Sequence, residues 1–304
     1  CLMTLFVLFG SSRIARPCNY ESRPMLSYRH GFHAGNHADV LKHLIYQFVL
    51  AYMGQKDKPF SIIDTHAGAG AYRLDSEFAQ KNCEFDTGVA KLWDLPTEGM
   101  PSAVQNYLEA VRRFNIEHEN HELAVYPGSP WFALDALPLE AKVFFHELHP
   151  ADFDLLREFV RPNRYRKVIK DDGFVASVGL FPPPSKRGVT IIDPPYEIKD
   201  DYQRVVSYVK ASHKRFAGGV TLIWYPVVQR SRIVEMERAL QNSGIKNIQL
   251  FELNVAQDSD EKGMTGSGMI VINPPWTLNA TMEQVLPYLQ SHLAPIQGWT
   301  RNLV

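Results

Sequence analysis

An α/β fold follows from three observations: a doubly wound, mostly parallel sheet of seven strands, with a small helical subdomain inserted into it. First, seven segments rich in β-branched and apolar residues read as buried strands, at 60–64, 143–147, 166–170, 189–193, 220–225, 248–253 and 269–273. Most are continuous apolar runs, as expected of strands covered on both faces. Second, helical patterns fall between them, at 37–53, 151–160, 202–216 and 232–242. Such strand–helix alternation builds a parallel sheet with helices on both sides. Third, about 80 residues separate the first strand from the second, where a crossover needs only a dozen or so beyond its helix. Residues 72–126 therefore read as the insertion, with helical spacing over 102–114.

Composition narrows the class. Of 304 residues, 45% are hydrophobic and 21% charged, which suits a globular chain with a large core. The net charge is −1, so any nucleic-acid surface has to be a local patch. No apolar run reaches the ~18 to 20 residues that cross a bilayer, so no membrane is expected as a partner. Cys1, Cys18 and Cys83 form no close pair. Neither a disulfide framework nor a cysteine zinc site is expected, and a reducing cytoplasm fits. Residues 1–24 differ from the rest. The run Leu2-Met3-Thr4-Leu5-Phe6-Val7-Leu8-Phe9 is apolar but short, and no basic residue precedes it as in a secretory signal. The expectation is an extension upstream of a natural start at Met25, with a degenerate export signal as the weaker option.

The first strand runs into a glycine-rich turn, Ile62-Ile63-Asp64-Thr65-His66-Ala67-Gly68-Ala69-Gly70. Glycine lets a backbone bend tightly and approach a ligand closely. A nicotinamide fingerprint needs a small residue three positions after the second glycine, and Arg73 stands there. A methyltransferase fits better: Asp64 would face the amino-acid part of S-adenosyl-L-methionine, with Gly68 in the turn. A plain tight turn is the alternative.

Two further strand ends carry acids. Val143-Phe144-Phe145-His146-Glu147 closes on a carboxylate, which suits the ribose hydroxyls of a nucleoside. After the third strand comes Lys170-Asp171-Asp172-Gly173. Asp172 is the better acceptor for the adenine amine of the cofactor, because Gly173 permits close approach. The alternative for each acid is a solvated helix cap.

Val189-Thr190-Ile191-Ile192-Asp193-Pro194-Pro195-Tyr196 is the strongest signal. An exocyclic adenine amine is a poor nucleophile, since its lone pair is delocalised into the ring. The Asp193 carboxylate and the Pro194 carbonyl can each accept one N6 hydrogen. That positions the nitrogen for in-line attack on a sulfonium methyl and offsets the charge building there. Proline removes a competing N–H donor and stiffens the turn. Tyr196 offers a ring for base stacking, worth roughly 1 to 3 kcal/mol. A second copy, Met269-Ile270-Val271-Ile272-Asn273-Pro274-Pro275-Trp276, satisfies the same loose pattern. Only one can sit beside the methyl group. The first follows the strands bearing the glycine loop, Glu147 and Asp172, so catalysis is assigned to Asp193. The second is expected to be a structural turn, with Trp276 packed on a helix.

Before the first strand, the stretch from Tyr28 to His43 is dense in polar side chains. The spacings of His30, His33, His37 and His43 match no zinc signature, and no metal is expected. Asn36 or Asp39 is expected to cap the following helix. The functional reading is a lid, with Tyr28 and His30 covering the pocket on the substrate side and Lys42 and His43 facing the cofactor carboxylate. Ordinary surface histidines are the alternative.

Longer runs carry a resemblance. They are Tyr28-Arg29-His30, Asn36-His37-Ala38-Asp39-Val40-Leu41-Lys42-His43 and Asp64-Thr65-His66-Ala67-Gly68-Ala69-Gly70, followed by Pro127-Gly128-Ser129-Pro130 and Glu147-Leu148-His149-Pro150. Asp172-Gly173-Phe174, Asp193-Pro194-Pro195-Tyr196, Tyr225-Pro226-Val227 and Asn273-Pro274-Pro275-Trp276 complete the set. From Met25 onward the chain closely resembles the RlmJ family of bacterial 23S ribosomal RNA adenine-N6 methyltransferases. The resemblance implies a Rossmann-like class I methyltransferase domain over 25–304 with a helical insertion. It implies cofactor contacts from His43, His66, Ser129, Glu147, Asp172 and Gly173, with Asp193 catalytic and Tyr28 near the rRNA. Ser129 enters on the resemblance alone. Residues 1–24 depart from the family pattern.

The expected partner is 23S rRNA, naked or in an assembly intermediate, met by a monomer. A DNA adenine-N6 methyltransferase would share the pocket, but no helix-turn-helix or second target-recognition domain is evident. A non-catalytic nucleic-acid-binding protein, for instance in DNA uptake, is a different class. The intact Asp193 motif and glycine loop argue against it, and cofactor binding separates the two. Arg161, Arg164, Arg166, Lys167 and Lys170 read as a solvated face away from the cofactor. Lys199, Lys210, Lys214 and Arg215 follow the Asp193 motif and are better placed for phosphate.

Overall fold

A computed structural model describes residues 30–137, 141–198, 200–259 and 263–303. The expectations for residues 1–24, Tyr28 and Lys199 lie outside the described residues. Eight strands form the main sheet: β1 (Ser61–Asp64), β2 (Val143–His146), β3 (Arg166–Ile169), β4 (Gly188–Ile192), β5 (Val220–Val227), β6 (Ile248–Asn254), β7 (Gly266–Ile272) and β8 (Trp299–Leu303). Their order across the sheet is β8-β6-β7-β5-β4-β1-β2-β3. Strands β1 to β5 pair in parallel, while β7 runs antiparallel to β5 and β6, and β8 antiparallel to β6. All seven expected segments are strands. β8 corrects the count, because Trp299-Thr300-Arg301-Asn302-Leu303 is a partly exposed polar edge strand without an apolar run.

Alternation along each strand explains the two cores. Ile62, Ile191, Leu222 and Val271 point to one face. They pack there with α1 (His37–Gly54), α2 (Ser102–Glu117), α3 (Ser129–Ala136), α4 (Pro150–Val160) and α7 (Leu278–Leu293). Ile63, Ile192, Ile223 and Ile270 point to the other, against α5 (Asp201–Arg215) and α6 (Arg230–Gln241). Both faces are covered, so the strands read as unbroken apolar runs. Helix α1 starts where Asn36 accepts from the Asp39 amide at 2.9 Å, which decides the cap in favour of Asn36.

Between β1 and α3 lie the helices Glu77–Asn82, Val89–Trp93 and α2, closed off by a two-stranded ribbon of Ala71–Arg73 and Val125–Pro127. α2 buries Val104, Tyr107, Leu108, Val111 and Phe114, an i, i+3, i+4, i+7 stripe. Arg73 thus sits in a ribbon strand, exposed and paired with Asp75, and not on a helix against the sheet. Among the described residues no helix is long and apolar enough to cross a membrane.

Candidate active site

Parallel strands deliver their carboxyl ends to one edge of the sheet, where α/β folds bind ligands. Asp64 ends β1, and Glu147, Asp172 and Asp193 follow β2, β3 and β4 by one, three and one residues. Glu147, Asp172 and Asp193 border one cleft of about 400 Å³, together with Lys42, His43, His66, Gly68, Ser129 and Gly173. Asp64 lies beneath its wall, fully buried, and accepts from the Ser129 hydroxyl at 2.6 Å. Ser129 opens α3, which places the far end of the insertion against the end of β1.

Each acid is held. Asp64 also accepts from the His66 amide at 3.2 Å. Its burial pushes the carboxyl up to about 7, and the Ser129 and His66 hydrogen bonds only partly oppose this. Glu147 accepts from the Gly68 amide at 2.8 Å and the His149 amide at 2.7 Å, and burial likewise raises it to about 7. Gly68 has φ +63, and a side chain there would collide with the Tyr72 hydroxyl. Asp172 caps its own short helix by accepting from the Phe174 amide at 3.0 Å. Gly173 is needed for packing as well as access, since a Cβ would meet the Thr65 carbonyl at 2.1 Å.

Lys42 is where structure and expectation part. Its Nζ donates to Asp193 Oδ2 at 2.7 Å and pairs with Asp39 Oδ1 at 2.8 Å. Burial alone would disfavour the ammonium, but Asp193 and Asp39 together outweigh it and raise the lysine above its usual value. The side chain is 3% exposed and lies over the Trp224 ring. Lys42 therefore serves the two carboxylates directly. His43 borders the cleft with Nδ1 at 2.9 Å from the Tyr126 hydroxyl. Burial, with Arg204 and His146 nearby, lowers His66 and keeps its imidazole neutral.

The Asp193 motif is placed in part as expected. Asp193 and Pro195 border the cleft, whereas Pro194 is buried and Tyr196 turns aside. Tyr196 takes φ +53 and donates its hydroxyl to the Trp224 carbonyl at 2.7 Å, with its ring against Tyr202. A bulky residue in the left-handed region is an outlier of the kind found at functional turns. Asn273 has the same φ of +53, but its amide donates to the Ala217 and Gly219 carbonyls, each at 2.8 Å. It is a structural turn, as expected. Trp276 is not packed on a helix: it is 80% exposed, because the turn projects it beyond the start of α7.

Sequence reasoning missed Tyr72, Leu148, Ile198 and Arg204, which also border the cleft. Leu148 follows Glu147 in its strand-end run and Ile198 follows the Asp193 motif, whereas Tyr72 and Arg204 reach the cleft only through the insertion and α5. His30 begins a short 3-10 helix, His30–Phe32. Among the described residues no group of three or more His, Cys, Asp or Glu is arranged to hold a metal ion.

Comparison with known proteins agrees with this architecture. Residues 57–303 match the family model "Ribosomal RNA large subunit methyltransferase D, RlmJ". The chain is 48% identical over 272 residues to ribosomal RNA large subunit methyltransferase J of Escherichia coli, covering 89% of this chain and 95% of that protein. It is 43% identical over 278 residues to the protein of that name from Haemophilus influenzae, covering 91% and 98%. A crystal structure of a Legionella pneumophila protein superposes with a TM-score of 0.81 at 33% identity, covering 89% and 98%. A match that spans the sheet, the insertion and every cleft-bearing strand end places this chain in the RlmJ family of ribosomal RNA large subunit methyltransferases.

Proposed function

We propose that the protein transfers the methyl group of S-adenosyl-L-methionine to the N6 amine of a specific adenine in 23S rRNA, acting as a monomer of one methyltransferase domain. The observation that carries this reading is Asp193, held by Lys42 at the cleft into which neighbouring strand ends deliver Glu147 and Asp172, with Asp64 beneath the wall behind Ser129. The donor set suits the cofactor: Glu147 has acceptor capacity for ribose hydroxyls, Asp172 for an adenine amine, and Asp64 with Ser129 lies toward the amino-acid end. His43, His66, Gly68 and Gly173 complete that wall. When bound, the cofactor supplies an electrophilic methyl group. Asp193 and the Pro194 carbonyl accept the N6 hydrogens and orient the nitrogen, and Tyr196, anchored through its hydroxyl and packed on Tyr202, stiffens the turn that carries them in place of stacking on the base. The test is to map methylated adenines in total RNA and DNA from cells with and without the gene. Loss of one 23S site supports the reading. Loss of a DNA mark, or of none, sinks it.

Glu147→Ala is expected to weaken S-adenosyl-L-methionine binding by about 1.5 to 3 kcal/mol, the worth of hydrogen bonds to a charged group. An unchanged dissociation constant by isothermal titration excludes Glu147 from the ribose site. pH gives a second reading. Glu147 and Asp64 both stand near 7 in the free protein, so both gain protons as pH falls from 8 to 6. Cofactor affinity should weaken over that range, and Glu147→Ala should flatten the profile. For the ligand-free fold the sign is opposite. Both groups are raised above their unfolded values, so stability falls as pH rises from about 4 through 7.

The lid is proposed on sequence grounds. A terminal segment is poorly ordered unless something ties it down, and Tyr28 and His30 close over the bound base in this reading. Tyr28→Ala with His30→Ala should slow single-turnover methylation at least about tenfold, or ~1.4 kcal/mol of barrier, with cofactor affinity nearly unchanged. Wild-type turnover in the double variant would remove these residues from the mechanism.

A further inference from the structure

We propose that Arg204 is a positioning residue for the cofactor cleft: it pins Asp172 in the orientation that selects a 6-amino purine. The inference rests on the cleft taking an adenosyl ligand with Asp172 at its purine end.

Asp172 has one oxygen committed locally, since Oδ1 accepts from the Phe174 amide. Its Oδ2 is taken by Arg204 Nη2 at 2.5 Å, from a helix 32 residues downstream. Arg204 is itself fixed at two more points. Nη1 donates to Asp201 Oδ1 at 3.3 Å, and the guanidinium lies 4.8 Å from the centre of the Phe174 ring. Arg204, Asp172 and Asp201 all border the cleft. The Arg204 side chain is 39% exposed, and an ion pair so accessible to water adds little to stability. Holding a long, rotamer-rich side chain at three contacts is a cost without much stabilising return, so its effect lies in orientation.

The chemistry gives that orientation a use. An ionised carboxylate only accepts hydrogen bonds, and it has about four lone-pair sites, so two held oxygens still leave capacity. A purine 6-amino group donates to it. A 6-oxo purine presents a lone pair to the same place and is repelled. A carboxylate free to rotate would turn its lone pairs away from the amine and lose the distinction. The guanidinium opposes this, because its charge-assisted hydrogen bond fixes the carboxylate plane.

Isothermal titration of the full chain with S-adenosyl-L-homocysteine and its 6-oxo counterpart, S-inosyl-L-homocysteine, tests this. The unaltered protein should prefer the 6-amino ligand by at least about a hundredfold, as sites built to pair a ligand N–H do. Arg204→Gln and Asp172→Asn should each shrink that ratio at least tenfold. Arg204→Lys keeps the charge but loses the planar fork, and should restore part of the ratio. Glu147→Ala should weaken both ligands and leave the ratio unchanged, as would any change that merely loosens the site. If Arg204→Gln fails to fold, Arg204→Lys carries the test, and an unreduced ratio in it overturns the role. An unchanged ratio in Arg204→Gln, with Asp172→Asn collapsed, overturns the Arg204 role alone. A protein that binds neither ligand, or prefers neither, overturns the adenosyl reading of the cleft and this inference with it.

Discussion

Asp193→Ala is expected to reduce methyl transfer at least about a thousandfold, or ~4 kcal/mol of barrier, with cofactor affinity within a few-fold of the unaltered protein. The carboxylate borders the cleft and is 16% exposed, so its loss removes an acceptor where the amine must sit. The fold should survive, because Lys42 keeps its pairing with Asp39 at 2.8 Å. Asn273→Ala is the matched contrast. It removes two hydrogen bonds to the Ala217 and Gly219 carbonyls and puts alanine at φ +53. A stability loss of about 1 to 3 kcal/mol is expected from such a turn, with the rate per folded molecule kept. Single-turnover rates beside urea melts would decide. If Asn273→Ala alone stops transfer in folded protein, the two motifs have been given each other's roles.

Lys42→Met should be nearly as damaging, and by two routes. The ammonium sits between Asp39, 2% exposed, and Asp193. Removing one partner from a buried ion cluster leaves uncompensated charge and costs about 3 to 5 kcal/mol of stability. The freed Asp193 carboxylate loses the contact that orients it, so transfer should fall at least about a hundredfold, ~2.7 kcal/mol. Single-turnover rates beside urea melts measure both losses, and a folded variant with an unreduced rate would remove Lys42 from the mechanism.

Much of this was readable in the chain. Strands at 60–64, 143–147, 166–170 and 189–193 announce themselves because both faces are covered, and a run such as Val189-Thr190-Ile191-Ile192 has no polar face to hide. Each run ends at an acid or within two residues of one, and parallel pairing makes strand ends into neighbours, so the order of acids along the chain became a cleft. The helix α7 was not read although it buries a regular stripe of Leu278, Met282, Val285, Leu286, Leu289 and Leu293, and β8 was not read because it has no apolar run.

By itself the sequence determined which residues could do the chemistry: Asp193 with its prolines, the glycine turn, and acids at three strand ends. Those choices are local, made by residue type and by where an apolar run ends. The tertiary structure decided which of them meet. β7 runs antiparallel to β5, so Ile272 lies opposite Thr221 and Asn273 falls at the far end of the sheet from Asp193. The two motifs look alike in sequence; their order along the chain distinguishes them, and strand direction places them at opposite ends of the sheet. Lys42 lies 151 residues before Asp193, and Arg204 lies 32 after Asp172. A charge pair at such separation leaves no periodic trace in the chain. It exists because α1 and α5 pack on opposite faces of one sheet and both reach its carboxyl edge.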